Sequence, residues 1–210
     1  MKTHNFAFCG DIHGNKRYLE TFVNHYLSKG YQLVFVGDYI DSFDKSLEDQ
    51  MYCLDTVMNL VEKEYAIALM GNHELSYLKP EIHRASGFKV STLTSLIPRM
   101  ATMNKFLSMY YYIPEYKTLV THAGLTHPIL KTFSMTEDNF IEVLFAKAKS
   151  NEMGDLFNAI GDKRGGFEKT GGPMWCDSEE FSPVPFLSQV FGHTGTRKFH
   201  EPRILIWGDP

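Results

Sequence analysis

The sequence predicts an α/β protein in which parallel strands form a sheet covered by helices. Three short apolar runs, FAFCGD, LVFVGD and IALMGN, each end in a glycine followed by a polar residue, at Asp11, Asp38 and Asn72. Amphipathic helical patterns fill the two intervals between these runs. Such an alternation is typical of parallel sheets, because a parallel connection needs a crossover helix. Ligand groups gather at the carboxyl ends of parallel strands, where these three polar residues fall.

The two crossover helices have different sequence signals. The first is predicted over residues 15–30, where apolar side chains recur at i, i+3, i+4, i+7 and i+8 and Gly30 ends the pattern. The second begins at Ser46, which forms a weak capping box with Asp49 before an apolar pattern that continues to Val61.

The rest of the chain is less periodic. It predicts a mostly helical stretch interrupted by Pro80 and Pro98, two strands around a Pro-Glu turn, a helix, a glycine-rich loop and two further strands. These elements occupy residues 73–108, 110–124, 136–149, 161–173, 188–194 and 203–208. No repeat or interdomain linker is visible, so we expect a single domain over residues 1–210.

The composition excludes several function classes. Of the 210 residues, 43% are hydrophobic, which is enough for one sizeable core, and the formal net charge is −4. No long basic run is present, so neither stable nucleic-acid binding nor binding to an anionic membrane is expected. No apolar run approaches the roughly 20 residues of a membrane span. Three widely spaced cysteines, with no signal-peptide pattern, favour a reducing, cytoplasmic location.

Five short motifs carry the chemistry of the sequence. They are GDIHG, GDYID, GNHE, HAG and GHT, at residues 10–14, 37–41, 71–74, 122–124 and 192–194, and each follows an apolar strand. Their imidazole, carboxylate and amide groups suit divalent ions such as manganese, iron, zinc and magnesium. Asp38 lies between the flanking segments and could bridge two ions. A two-ion clamp suits displacement at phosphorus.

The ordered set of motifs resembles the phosphoprotein phosphatase branch of the calcineurin-like metallophosphoesterase superfamily. In its short length the chain is similar to the bacterial and bacteriophage protein-serine/threonine phosphatases of that branch. The resemblance implies a four-layer α/β/β/α sandwich and a metal-dependent phosphatase. It also implies that a hydroxide bridging two metal ions attacks phosphorus directly, with no phosphoenzyme.

The resemblance further implies the metal ligands. Carried over motif by motif, one ion is held by Asp11, His13 and Asp38, and the second by Asp38, Asn72, His122 and His193. The expected ion is Mn²⁺, with Fe, Zn, Ni and Mg as alternatives.

In the same scheme His73 is not a ligand. It donates a proton to the leaving alkoxide, and Asp41 orients its imidazole. The residues themselves are compatible with this division, because Asn72 and His73 are adjacent at a turn and need not point the same way. A metal-bound histidine also has a lone pair engaged and cannot shuttle a proton with that nitrogen.

The substrate contacts are where the sequence departs from the family. Members of the family usually have the motif GDYVDRG, in which the arginine binds phosphate, whereas this chain has Ser42 at the position of that arginine. A serine hydroxyl can donate one hydrogen bond but carries no charge. Arg164, in the glycine-rich loop, is our candidate for the missing cation, and Arg197 is the reserve. Tyr39, inside the GDYID turn, is a candidate for lining the substrate cleft.

The sequence therefore predicts a dinuclear metal-dependent phosphomonoesterase that acts on phosphoserine or phosphothreonine in proteins. Hydrolysis of small phosphoanhydrides or nucleotides, as in the diadenosine tetraphosphatases, is the first alternative. A broad phosphodiesterase or nucleic-acid-end phosphatase is the second, and the acidic charge balance disfavours it. The partner is accordingly a phosphorylated protein or a small phosphate ester. A degenerate fold that served only as a binding module would not need all six metal-ligating side chains.

Overall fold

The chain forms two compact units, Met1–Ser108 and Met109–Pro210. The structure is a computed structural model that describes residues 5–150 and 152–194 and the backbone of 205–207. Each unit contains a four-stranded sheet and helices. The α/β class is therefore confirmed, whereas the single domain over residues 1–210 stays a prediction.

The first unit is built on a fully parallel sheet. Its strands β1 to β4 pair in chain order and span Phe6–Cys9, Gln32–Phe35, Ala66–Leu69 and Leu107–Ser108. Helices α1 to α4 span Lys16–Leu27, Leu47–Glu62, Asn72–Leu78 and Leu93–Met103. The two predicted crossover helices are thus confirmed as α1 and α2. At the start of α2, the Ser46 hydroxyl accepts a hydrogen bond from the Asp49 N–H at 3.0 Å, as the capping pattern predicts.

Helix α4 differs from the sequence-based prediction, because it continues through Pro98. Proline has no N–H, so the helix lacks one backbone hydrogen bond at this position. Leu96, Met100 and Met103 form a buried face of α4 that packs into the core of the unit. Burial of that apolar face offsets the missing bond.

The second unit has a mixed sheet. Its strands β5 to β8 span Tyr110–Ile113, Thr118–Thr121, Ser188–Phe191 and Leu205–Trp207, paired in that order. Strands β6 and β7 are parallel, and the two outer pairs are antiparallel. The predicted strands are confirmed here, except that residues 203, 204 and 208 of the last one lie outside the described residues.

The helices of the second unit were predicted less well. Helix α5, His127–Thr132, was missed, although Thr126 caps it and Pro128 lies in its first turn, two ordinary signals of a helix start. Helix α6 spans only Phe140–Lys147 of the predicted 136–149. The segment before it forms a turn, in which the Thr136 N–H donates to the Asn139 side chain at 2.6 Å.

None of the helices in the described part of the chain combines the length and the apolar character that a membrane crossing requires.

Candidate metal centre

In the first unit, the loops that follow β1 and β2 are joined by backbone hydrogen bonds. The N–H groups of Ile12 and His13 both donate to the carbonyl of Asp38, at 2.8 and 2.9 Å. His13, Asp38 and Asp41 have left-handed backbone conformations, with φ of 44°, 57° and 62°. Non-glycine residues adopt this conformation at an energetic cost and are enriched at functional sites when they do. The surrounding hydrogen bonds hold these three predicted site residues in that conformation.

A buried carboxylate, Glu74, connects the loops that follow β2 and β3. It accepts hydrogen bonds from the N–H groups of Asp38, Tyr39 and Gly71, at 2.8, 2.8 and 3.0 Å. Gly71 must be a glycine, because a Cβ there would lie 2.1 Å from Oδ1 of Asp38. Burial and the nearby charge of Asp38 raise the pKa of Glu74 above its usual value.

The sequence patterns assigned no role to Glu74, although it is part of the GNHE motif. A signal was available, because an acidic residue at the third position of a helix often accepts from the backbone of the capping residue. Glu74 holds that position in α3, whose capping residue is Gly71.

Three side chains of the first unit form a potential cation-binding group. Oδ2 of Asp38 lies 3.7 Å from Nε2 of His13 and 3.8 Å from Nε2 of His73. Among the described residues, one ligand atom from each of these three lies within 4.8 Å of the others. The group does not include Asp11, which follows β1 and is half-buried, and its ligand role stays a prediction. The same holds for Asn72, a buried residue at the start of α3.

The hydrogen bond that orients the His13 ring fits the binding of a divalent cation. Its Nδ1 lies 2.7 Å from the carbonyl oxygen of Ile40. A carbonyl can only accept, so Nδ1 carries the hydrogen and the neutral ring has its lone pair on Nε2. Metal-binding histidines are usually held by such a bond from the other ring nitrogen. Together with the carboxylate of Asp38, this lone pair provides nitrogen and oxygen donors that suit Mn²⁺, Fe²⁺ or Zn²⁺.

His73 is held through its other ring nitrogen by Asp41. Nδ1 of His73 lies 3.1 Å from Oδ2 of Asp41, and Nε2 faces Asp38. Burial alone would lower the pKa of His73, but the charge of Asp38, the hydrogen bond and charge of Asp41 and the charge of Glu74 raise it to about 9. The protonated ring therefore has a donor N–H at Nε2. The same atom, once deprotonated, could instead bind a cation, so both roles are open to this nitrogen.

In the second unit, the structure brings His122 and His193 together. His122 follows β6 and His193 follows β7, and Nε2 of the first lies 3.1 Å from Nδ1 of the second. His193 has a left-handed backbone, with φ of 71°. Two facing imidazole nitrogens either share one proton or present lone pairs to a common cation. The pair therefore has the chemistry that the two predicted ligands require.

Arg164 is attached to the loop that carries His193. Its Nη2 donates to the hydroxyl of Thr194 at 2.7 Å, and its Nε lies 2.8 Å from Oδ2 of Asp177. These contacts hold the guanidinium beside the GHT motif. The reserve candidate, Arg197, lies outside the described residues.

The structure corrects two predicted substrate contacts. Tyr39 is fully buried, and its hydroxyl donates to the carbonyl of Leu69 at 2.8 Å, so the prediction that it lines a cleft is wrong. Ser42 is also buried, and its hydroxyl donates to Oδ1 of Asp44 at 2.8 Å. The single proton of Ser42 is thus used within a local turn, and we assign this side chain no phosphate contact.

Comparisons with known proteins agree with this arrangement. The sequence model of the calcineurin-like phosphoesterase family matches residues 4–209. No curated protein matches the chain.

The solved structures that are similar to the chain include the following three. A cold-active protein-tyrosine phosphatase of a psychrophilic Shewanella species is 17% identical, covers 87% of this chain and 62% of its own, and has a TM-score of 0.53. A candidate diadenosine tetraphosphatase is 25% identical over 59% of this chain and 52% of its own, with a TM-score of 0.41. A protein serine/threonine phosphatase from Saccharomyces cerevisiae is 22% identical, covers 58% of this chain and 38% of its own, and has a TM-score of 0.38.

The chain thus corresponds to between about two fifths and three fifths of the length of these three proteins. The likeness to the Shewanella enzyme shows the fold.

Proposed function

The chain belongs to the calcineurin-like phosphoesterase family, and we propose that it is a dinuclear metal-dependent phosphomonoesterase acting on phosphoserine and phosphothreonine in proteins. One observation carries the proposal. Oδ2 of Asp38 faces Nε2 of His13, and because Nδ1 holds its hydrogen toward the carbonyl of Ile40, the neutral ring presents its lone pair at Nε2. A buried carboxylate beside an imidazole lone pair is an unfavourable arrangement that a divalent cation would stabilise.

The proposed cation ligands are the six that the motifs predict: Asp11, His13, Asp38, Asn72, His122 and His193. Mn²⁺ is the proposed ion. When bound, the two cations supply Lewis-acid chemistry, which activates water and neutralises the oxygens of the phosphoryl group. The positions of His13 and Asp38 in the first unit and the contact between His122 and His193 in the second support this assignment.

His73 is the proposed general acid. Its Nδ1 is engaged with Asp41 and its Nε2 faces Asp38, so Nε2–H is the proposed donor to the leaving oxygen. As water attacks phosphorus and the bond to the serine or threonine oxygen breaks, this proton passes to the departing alkoxide. The phosphoryl group goes directly to water, and no phosphoenzyme forms. His73 regains its proton from solvent.

A substrate panel tests the proposed function. The Mn²⁺-loaded chain is assayed with phosphoserine and phosphothreonine peptides, a dinucleoside tetraphosphate and bis(4-nitrophenyl) phosphate. We expect the highest kcat/KM on the phosphopeptides. A higher kcat/KM on the dinucleoside tetraphosphate would replace the proposal with hydrolysis of phosphoanhydrides. A higher value on the diester would replace it with a phosphodiesterase.

Replacing Arg164 tests the proposed phosphate contact. Arg164→Ala should lower kcat/KM on a phosphomonoester by ~30- to 10³-fold, because a charge-assisted contact is lost from the transition state. The loss should be smaller on a diester, which carries one negative charge fewer. Steady-state kinetics with both substrates measure the difference. The control is Lys163→Ala, which removes the exposed cation next to Arg164; both residues lie in a short 3-10 helix, Asp162–Arg164. Equal, small losses on both substrates would show that Arg164 only anchors its loop.

A further inference from the structure

The carboxylate of Asp41 is held by two side chains of one helix. His73 and Tyr77 are four residues apart in α3 and therefore lie on the same face. Nδ1 of His73 lies 3.1 Å from Oδ2 of Asp41, and the Tyr77 hydroxyl lies 2.5 Å from Oδ1. Each carboxylate oxygen thus has its own partner, and the three side chains form one chain of hydrogen bonds.

The direction of the Tyr77 hydrogen bond follows from its neighbours. The backbone N–H of Lys89 donates to the Tyr77 oxygen at 3.2 Å. An ionised carboxylate can only accept, so the proton of the tyrosine hydroxyl is directed at Asp41. Burial and the bond to Asp41 raise the pKa of Tyr77 to about 12, which keeps the hydroxyl protonated at neutral pH.

Tyr77 is also fixed in position by its surroundings. It is 3% exposed, and its ring packs against Phe88 with 4.8 Å between the ring centroids. Asp41, by contrast, lies in a loop with a left-handed backbone, and Oε1 of Gln50 accepts its N–H at 3.0 Å. These contacts place the backbone of Asp41 but do not orient its carboxylate. The carboxylate is oriented by His73 and Tyr77.

We propose that Tyr77 is a positioning residue for the phosphatase reaction: its hydroxyl holds Asp41 so that Asp41 holds His73 with Nε2 toward the scissile ester. The inference rests on the proposed function, because it adds Tyr77 as a third residue to the proposed proton-donating pair of His73 and Asp41. Without the hydroxyl, Oδ1 of Asp41 would remain buried and would lose a charge-assisted donor. The carboxylate would then turn toward other donors, and His73 would lose its fixed orientation.

The conservative variant Tyr77→Phe keeps the packed ring and removes only the hydroxyl. We expect kcat on a phosphoserine peptide to fall about 10-fold or more, with KM unchanged, because only the proton donor is misplaced. On 4-nitrophenyl phosphate the fall should be smaller, since that leaving group is stable without a proton. Tyr26→Phe, which removes the hydroxyl of a half-buried tyrosine in α1, is the control and should change neither constant.

The double variant separates positioning from a general structural effect. In a His73→Asn background, Tyr77→Phe should cause no further loss of kcat, because residues that act as one unit are not additive. The role of Tyr77 would be overturned if Tyr77→Phe lowered kcat by the same factor in the wild-type and the His73→Asn chains. An unchanged kcat in the Tyr77→Phe single variant would also overturn it. A wild-type chain that hydrolyses neither substrate would instead overturn the proposed function, and this inference with it.

Discussion

Replacing Asp38 with asparagine is expected to abolish turnover and to release bound metal. The substitution keeps the shape of the side chain and removes its charge. In the structure Asp38 is buried, and its Oδ2 faces the Nε2 atoms of both His13 and His73. It is the residue proposed to contact both cations, so loss of its charge should weaken both sites together. Metal content and kcat, measured on the same Mn²⁺-treated sample, test this expectation.

The control for this variant is Asp55→Asn. Asp55 is an exposed aspartate of the same unit, paired with Arg99 at 3.2 Å, and an exposed ion pair of this kind contributes little to the stability of the fold. The Asp55→Asn variant should keep full metal content and full activity. An Asp38→Asn chain that retained either two bound ions or its turnover would refute the role given to Asp38.

The second large effect is expected for His73→Asn. We expect kcat to fall by ~10²- to 10⁴-fold, the usual contribution of a positioned acid, while both metal ions stay bound. The loss should be smaller for aryl phosphates than for phosphoserine peptides, since an aryl oxide leaves without a proton. Metal analysis and kinetics with both substrates distinguish the chemical step from cation binding.

His73 has a concrete alternative role, which the same experiment detects. Its Nε2 lies 3.8 Å from Oδ2 of Asp38, and a ring nitrogen of His73 lies within 4.8 Å of ligand atoms of both His13 and Asp38, so the ring could bind a cation. If metal content decreased in parallel with kcat, His73 would be a ligand rather than an acid. The control is His25→Asn, which changes an exposed histidine of α1 and should leave both measurements unchanged.

The sequence predicted the strand ends better than the contacts of individual side chains. A buried strand and a glycine before a polar residue are local features, so the positions of Asp11, Asp38 and Asn72 could be read from the printed sequence. The capped start of α2 at Ser46 was equally local. The left-handed backbone at Asp38 was not predictable in this way, because it depends on hydrogen bonds from distant loops.

The contacts that could not be predicted depend on the folded structure. Tyr39 and Ser42 stand in a motif beside predicted ligands, yet their hydroxyls are used by Leu69 and Asp44. Tyr77 stands outside the five motifs and meets Asp41 only because α3 begins where β3 ends. The hydrogen-bond partner of a hydroxyl or carboxylate depends on which groups the folded backbone brings close to it. The spacing of residues along the sequence does not give that information.

The most direct test of the dinuclear mechanism is a Mn²⁺ titration of the chelator-stripped chain, with bound metal and phosphopeptide hydrolysis measured in the same samples. With two ions required for catalysis, the stripped chain should not hydrolyse the phosphopeptide, and full activity should appear as two ions bind to each chain. His73→Asn should bind the same two ions with little hydrolysis. Full hydrolysis by the stripped chain, or full activity with a single ion bound, would contradict it.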